Sequence, residues 1–324
     1  MSSVNISNPV FTPVFADPTV IYESGDGLYA YATADDRGDG RGQRLIPILK
    51  TVNGSDWEDV GDAFETRPAW IPKGAGIWAP DISRKHGKYL LFYSIAVWGD
   101  HEIPAIGVAV SDKPEGPFVD KGPIIRSMDI GVYNSIDPMH FIDDDGSSYL
   151  IWGSFNGIYG IPLSQDGLSK IGEKFLLAGD AYEAAHIIKR DGYYYFFGSR
   201  GTCCDGALST YHVCVGRSSS LFGPYHDKEG KELTQNGGTL VIKGELSEPV
   251  GSNDIVGPGH HSVFTDTTGQ DWMVYHAIEA VQPYLPNGAP RRPLFMDPMI
   301  WEDGWPFIKG FRPNLHEQPG PVLD

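Results

Sequence analysis

One hairpin unit recurs along this chain, and the repeat restricts the folds that the chain can adopt. Its clearest copy begins at Asp137-Pro138, continues as a short apolar strand, reverses at an acidic turn that ends at Gly146 and returns as Tyr149–Trp152. Apolar residues that alternate around an Asp-Gly turn are typical of a β-hairpin. Four further copies follow the same plan, and each of the five copies begins with a polar residue: Asp17, Asp81, Asp137, Glu183 and His260.

Five such units in 324 residues predict an all-β fold, a five-bladed β-propeller in which residues 1–324 form one domain. The 40 Gly and 25 Pro residues favour short strands joined by turns, and no long stretch has the apolar period of a helix. The innermost strand of each blade would start near one mouth of the central channel, where the five polar residues would converge and form one site. We expect residues 293–301 to add a strand to the first blade and so close the ring.

The charge balance limits the partners. The chain has 25 Lys and Arg residues against 42 Asp and Glu residues, a formal net charge of −17. A nucleic-acid partner, which needs a basic surface, is not expected, whereas a neutral substrate is compatible with this charge, as is a purely solubilising role for it. No apolar run is long enough for a transmembrane helix, so no membrane partner is expected. The first residues lack a signal-peptide core, which leaves open a cytoplasmic protein or the mature form of an exported one.

Two further segments are interpreted as structural. The adjacent Cys203 and Cys204 are poorly placed to bridge each other without strain, and together with Cys214 they imply neither a disulfide framework nor a zinc site. Residues 35–43 are glycine-rich and charged, but no helix pattern follows them. We therefore predict an exposed loop here rather than a phosphate-binding loop.

Three of the hairpin carboxylates suit the hydrolysis of a glycosidic bond. This reaction needs one carboxylic acid to protonate the leaving oxygen and a second carboxylate to activate water or to attack the sugar. Asp17, Asp137 and Glu183 can supply these groups if the propeller brings them together. Each Asp-Pro pair can equally be a simple turn starter, whereas Glu183, which stands among small apolar residues, suits an acid whose pKa is raised by burial.

Two other residues have both a structural and a functional interpretation. Trp78, which precedes Asp81 by three residues, can be a core side chain or a flat platform for a sugar ring. His260 can be a hydrogen-bonded turn histidine or a ligand for an ion on the channel axis. A single histidine without an acidic cluster is a weak indication of a metal.

The order and spacing of five motifs resemble glycoside hydrolase family 43, and within it the α-L-arabinanases. The similarity extends from about Phe15 to Pro306. The motifs are Ala16-Asp17-Pro18, Trp78-Ala79-Pro80-Asp81, Tyr133-Asn134-Ser135-Ile136-Asp137 with Gly153-Ser154-Phe155, Glu183 with Asp191-Gly192-Tyr193, and Gly257-Pro258-Gly259-His260.

The resemblance implies a five-bladed propeller that hydrolyses glycosides with inversion. Asp17 would be the general base, Glu183 the general acid, and Asp137 the residue that orients Glu183 and raises its pKa by like-charge proximity. Residues that would line the sugar cleft are Trp78, Asn134, Ser154 and Phe155, with Arg292 as a further contact at the cleavage point. His260 would be associated with one calcium ion on the propeller axis, usually surrounded by water, and no organic cofactor is expected.

The resemblance also implies a plant cell-wall polysaccharide as substrate. Cys203-Cys204-Asp205-Gly206 is similar to the endo-acting arabinanases in particular, which favours an endo-1,5-α-L-arabinanase acting on arabinan. Asn156 stands where such enzymes often carry a tryptophan, and Ala16 stands where they commonly carry a histidine. The alternatives are an exo-acting α-L-arabinofuranosidase, a β-xylosidase acting on arabinoxylan fragments, and a sugar-binding propeller without catalytic activity.

Overall fold

The fold is nearly all β-strand. The structure, a computed structural model, describes residues 4–251 and 253–324. Five sheets of four strands follow one another along the chain, and within each sheet the strands lie side by side in sequence order. This is the architecture of a five-bladed β-propeller, so the predicted fold class is confirmed.

The strands have the following bounds. β1 (Asn5–Ile6) precedes the first sheet, which contains β2 (Thr19–Glu23), β3 (Gly27–Tyr31), β4 (Pro47–Thr51) and β5 (Glu58–Asp62). The second sheet contains β6 (Gly76–Lys85), β7 (Lys88–Ala96), β8 (Ala105–Ser111) and β9 (Val119–Arg126), and the short helix α1 (Ser127–Ile130) follows it. The third sheet contains β10 (Met139–Ile142), β11 (Ser148–Trp152), β12 (Ile158–Pro162) and β13 (Phe175–Ala178). The fourth contains β14 (Glu183–Arg190), β15 (Tyr193–Arg200), β16 (His212–Ser218) and β17 (Thr239–Lys243). The fifth contains β18 (Ile255–Thr265), β19 (Asp271–Glu279), β20 (Leu294–Glu302) and β21 (Trp305–Ile308), and β22 (Gln318–Pro319) follows it.

The predicted hairpins form the first two strands of each sheet. β10 and β11 pair antiparallel from Met139 opposite Ile151 to Ile142 opposite Ser148. The turn glycine Gly146 has a φ of 84°, a left-handed value that only glycine adopts without strain. The alternating pattern therefore predicted strand pairing correctly, because one face of each inner strand packs in a core while the turn needs special backbone angles.

The chain divides into two compact units. The first unit comprises residues 1–61, 199–214 and 240–324, and the second comprises residues 62–198 and 215–239. Each unit has its own apolar core: Phe15, Leu28, Leu49, Trp272 and Met296 are among the buried residues of the first, and Leu90, Phe92, Val108, Leu150 and Trp152 are among those of the second. Full burial of one such side chain contributes about 1.5–3 kcal/mol, so these cores hold the strands of each unit in place.

The predicted closure of the ring is wrong. Residues 294–302 form β20, which pairs with β19 from Trp272 opposite Pro298 to His276 opposite Leu294, and so belongs to the fifth sheet. The chain ends meet instead in a separate two-stranded sheet, in which Ile6 of β1 lies opposite Gln318 of β22. Apolar alternation identified β20 as a strand, but alternation does not specify the neighbour of a strand.

The cysteine prediction is also wrong. Cys203 and Cys204 form a disulfide with each other, while Cys214 is a buried thiol. The disulfide lies in the loop between β15 and β16, and a short 3₁₀ helix, Gly206–Leu208, follows it in this loop. The general rule against disulfides between neighbouring residues therefore gave the wrong prediction for this pair.

Residues 35–43 form the predicted loop, joined by one isolated bridge between Asp36 and Gln43. Its middle is exposed, but Arg37 is buried and pairs with Asp59. Among the residues that the structure describes, no helix is long and apolar enough to cross a membrane.

Candidate active site

Several candidate residues, and the residue that follows Glu183, occupy left-handed backbone positions. The φ angles are 54° at Asp17, 57° at Asp137, 52° at Ala184 and 46° at His260. Such angles are uncommon for residues other than glycine and persist only where the surrounding structure imposes them. In β18 the register shifts around Gly259 and Ser262, so His260 lies in an irregular segment of the strand. A bulge of this kind re-aims a side chain.

Asp17 lies at the centre of a polar cluster in the first unit. Its Oδ1 accepts a hydrogen bond from Arg292 Nη1 at 3.0 Å, and its Oδ2 accepts one from the Thr33 hydroxyl. The Asp17 backbone N–H donates to His276 Nδ1 at 3.1 Å. His260 Nδ1 lies 3.4 Å from Asp17 Oδ1. The carboxylate is therefore held on both oxygens and through its own backbone.

These neighbours keep Asp17 ionised. Burial alone would raise its pKa, but the Arg292 cation and the hydrogen bond from the Thr33 hydroxyl oppose burial, and the pKa of Asp17 lies well below its usual range. A carboxylate that stays ionised at acidic pH is always available to accept a proton, although a low pKa also makes it a weaker base.

Arg292 also contacts a second carboxylate, Asp35. Arg292 Nη2 lies 3.3 Å from Asp35 Oδ2, and burial raises the pKa of Asp35 while Arg292 opposes this effect. Arg292 is itself buried, so its charge depends on both aspartates for compensation. The predicted residue Arg292 thus contacts the candidate base, and its contact with a sugar stays a prediction.

Thr33, Asp35 and His276 are site residues that the sequence did not indicate. Thr33 and Asp35 follow β3, and His276 lies within β19. The His276 ring is fully buried and stacks on Tyr211, with ring centroids 5.8 Å apart and an interplanar angle of 13°. Because its Nδ1 accepts a hydrogen bond and burial holds its pKa well below 6.5, His276 is a neutral imidazole with its proton on Nε2. No local motif marks these positions, since they meet Asp17 only through strand pairing.

Glu183 and Asp137 form a second cluster, in the second unit. The Ser154 hydroxyl donates to Glu183 Oε2 at 2.7 Å. The N–H of Ala184, the residue after Glu183, donates to Asp137 Oδ2 at 3.2 Å, and the Asp137 N–H donates to Ser94 Oγ at 2.9 Å. The structure therefore brings Asp137, Ser154 and Glu183 together. Their catalytic roles stay predictions.

Three other candidates lie around this second cluster. Asn134 Nδ2 donates to the Ser154 carbonyl at 3.4 Å. Phe155 is partly exposed and donates its N–H to the Tyr182 carbonyl at 2.9 Å. Trp78 is half-buried and packs edge-on against Trp98 at 6.2 Å between ring centroids. Trp98 is highly exposed and was not among the candidates, so it is a further flat surface beside Trp78.

Asp81 has a structural role. Its Oδ2 accepts a hydrogen bond from the His140 backbone N–H at 2.7 Å and so ties β6 to β10. The sequence alone could not separate Asp81 from Asp17 and Asp137, because all three stand at comparable positions in their hairpins.

The residues around His260 do not form a calcium cage. Ca²⁺ takes six to eight oxygen ligands, whereas the carboxylate beside His260, Asp17, is already paired with the Arg292 cation. Over residues 4–251 and 253–324, no group of three or more His, Cys, Asp or Glu side chains could hold a metal ion. The axial calcium stays a prediction, limited to a stabilising or organising role. Exhaustive chelation that left both melting temperature and rate unchanged would contradict it.

Comparison with known proteins identifies the family. The sequence matches glycosyl hydrolases family 43 over residues 6–306. The extracellular endo-α-(1→5)-L-arabinanase 1 of Bacillus subtilis (strain 168) is 35% identical over 304 residues, which cover 90% of this chain and 86% of that protein. The extracellular exo-α-(1→5)-L-arabinofuranosidase ArbA of Cellvibrio japonicus (strain Ueda107) is 34% identical over 334 residues, which cover 94% of this chain and 86% of that protein.

A solved structure agrees with this assignment. The α-L-arabinanase of Cellvibrio cellulosa, complexed with arabinohexaose, matches with a TM-score of 0.79 and 30% identity over 92% of this chain and 96% of that one. The match extends over nearly the full length of both proteins, and it argues against the alternative of a propeller without catalytic activity. The chain belongs to glycosyl hydrolases family 43, and it is a glycosidase.

Proposed function

We propose that this glycosidase hydrolyses α-1,5-linked arabinan, cutting within the chain and inverting the configuration of the anomeric carbon. The observation that carries the proposal is the buried Asp17 carboxylate, which Arg292 and the Thr33 hydroxyl keep ionised. Glu183, also buried, is held by the hydroxyl of Ser154 and is the proposed acid. An ionised carboxylate and a separately held carboxyl group can divide the roles of base and acid.

In this proposal Asp17 takes a proton from the attacking water, and Glu183 gives a proton to the leaving glycosidic oxygen. Asp137 orients Glu183 through the Ala184 N–H, to which its carboxylate is bonded. Ser154 keeps one oxygen of Glu183 in place. Trp78, Asn134, Phe155 and Arg292 are the proposed sugar contacts, and the aromatic rings would stack on the apolar faces of the sugar.

The arabinan substrate is supported by relatives of both cleavage modes. The Bacillus subtilis relative is named an endo-arabinanase and the Cellvibrio japonicus relative an exo-arabinofuranosidase, and their identities to this chain are 35% and 34%. The endo mode is further supported by the Cys203-Cys204 segment. The exo mode remains the second candidate, because Asn156 replaces the tryptophan that would extend the cleft. Arabinoxylan fragments are a further proposed substrate under the exo mode.

Product analysis on linear, debranched arabinan separates these proposals. We expect chromatography of early samples to show a ladder of mixed oligosaccharides, because an endo enzyme cuts at random positions. Arabinose alone from the first sample would contradict the endo mode and favour exo action. No product from arabinan would contradict the substrate and direct the search to xylose-containing polymers. Proton NMR of the first product would report the anomeric configuration, and retention would contradict the proposed single displacement.

A further inference from the structure

The Cys203–Cys204 disulfide lies in a loop that is closed on itself. The Thr202 N–H donates to the Thr210 hydroxyl at 3.1 Å, and the Ser209 hydroxyl donates to the Thr202 carbonyl. The disulfide joins neighbouring residues within this closed loop. Both cysteines are only half-buried. The loop is therefore rigid and presents part of the disulfide at the surface.

An aromatic ring extends this surface. The ring of Tyr284 packs so closely on Gly206 that no larger residue would fit at this position without a shift. Tyr284 is nevertheless 47% exposed, and the adjacent Leu208 is 74% exposed. We call the loop residues Cys203, Cys204 and Leu208, together with the Tyr284 ring that packs on Gly206 of the same loop, the disulfide platform. The sequence signalled the cysteines but gave no function to the other two residues.

The disulfide platform is connected to the Asp17 cluster by two short segments. Tyr284 belongs to the loop between β19 and β20, and Arg292 near the end of that loop pairs with Asp17. Beyond the disulfide, the ring of Tyr211 packs directly on Gly259 and leaves no room for a side chain there. Tyr211 also stacks on His276, which bonds to Asp17. The platform and the candidate base therefore share the same supporting elements.

The chemistry of the platform suits an uncharged, ring-containing ligand. The charged residues at the two ends of the Tyr284 loop, Arg291 and Glu279, pair with each other. Asp205, exposed between the disulfide and Gly206, is a hydrogen-bond acceptor for a hydroxyl group. Flat apolar surfaces with a few polar groups beside them are what sugar-binding sites provide, and a rigid loop reduces the ordering cost of binding.

We propose that the disulfide platform binds sugar units of the arabinan chain outside the cleavage point. Tyr284 would stack on one furanose ring, while the disulfide and Leu208 would cover the apolar edge of the same or the next ring. This inference rests on the proposed function, because it takes the arabinan chain as the occupant. It assigns to the Cys-Cys segment a role in holding the polymer, distinct from the chemistry at Asp17.

The test uses native affinity electrophoresis in gels that contain linear arabinan. The parent is Glu183→Gln, which binds without cutting, and Tyr284→Ala and Leu208→Ser are each added to it. We expect each addition to weaken arabinan binding about three- to tenfold, the scale of one aromatic contact. Tyr193→Ala is the matched control, since Tyr193 is also a tyrosine and is 40% exposed. It should leave binding unchanged.

Kinetics of the active enzyme complete the test. Tyr284→Ala should raise KM on linear arabinan. On a short aryl α-L-arabinofuranoside, its kcat/KM should stay within about twofold of the wild-type value. The double variant Cys203→Ser, Cys204→Ser should have the same pattern. Unchanged arabinan binding in both Tyr284→Ala and Leu208→Ser would contradict the proposed role of the disulfide platform and leave the proposed function of the enzyme intact. An equal loss on the short substrate would also overturn it, because Tyr284 would then act by positioning Arg292. If the wild-type enzyme neither cuts nor binds arabinan, the proposed function fails first and the platform fails with it.

Discussion

Replacing Glu183 by glutamine should lower kcat on linear arabinan by about 10²–10⁴-fold, the usual contribution of a positioned general acid. The amide can still accept the hydrogen bond that the Ser154 hydroxyl donates to Glu183 Oε2, but it has no proton to give to the leaving oxygen. The shape of the site is therefore kept while the proposed chemistry is lost. Steady-state kinetics, with melting temperatures to confirm folding, measure the effect.

A comparison of two substrates shows whether the loss of activity in Glu183→Gln reflects acid catalysis. In an aryl arabinofuranoside with an acidic phenol, the phenolate is a good leaving group and needs little protonation. The Glu183→Gln variant should therefore retain far more of its activity on this compound than on arabinan. Glu173→Gln is a suitable control, since Glu173 is an exposed carboxylate, and it should behave as wild type. Full activity of Glu183→Gln on arabinan would remove Glu183 from the role of acid.

Replacing Asp17 by asparagine should give a loss of similar size, about 10²–10⁴-fold in kcat, with a different substrate pattern. Activation of water is required whatever the leaving group, so the activity on arabinan and on the aryl substrate should fall together. An asparagine can keep the hydrogen bond from Thr33 and the backbone bond to His276, which limits the structural change. A variant that lost activity on arabinan alone would contradict the role of base.

The pH profile gives an independent measure of Asp17. Arg292 is the strongest of the groups that lower the pKa of Asp17, so its replacement by glutamine should raise that pKa. Because the base is inactive when protonated, the acidic limb of kcat/KM should then move to higher pH. Thr33→Val should move the limb in the same direction by a smaller amount. A limb that stays in place in both variants would mean that a group other than Asp17 controls it.

The repeated hairpins were predictable because their signals are local. Alternating apolar residues, acidic turns and turn glycines such as Gly146 occur within short stretches of the chain. Each stretch therefore predicts its own hairpin without reference to the others. The same locality explains why Asp17, Asp137 and Glu183 could be named as candidates. Each stands within two residues of the first residue of an inner strand, and the family motifs include all three.

The tertiary structure alone decided which groups surround these candidates. Thr33, Asp35, His276 and Arg292 reach Asp17 through strand pairing and long loops, and nothing within their own segments indicates this neighbour. Asp81 has the same local pattern as Asp17 but serves to tie two strands together. The partner of β20 and the pairing of Cys203 with Cys204 were likewise not determined by local pattern. Local pattern determines strands and turns, whereas partners and the electrostatics of a buried carboxylate depend on residues brought together from distant parts of the chain.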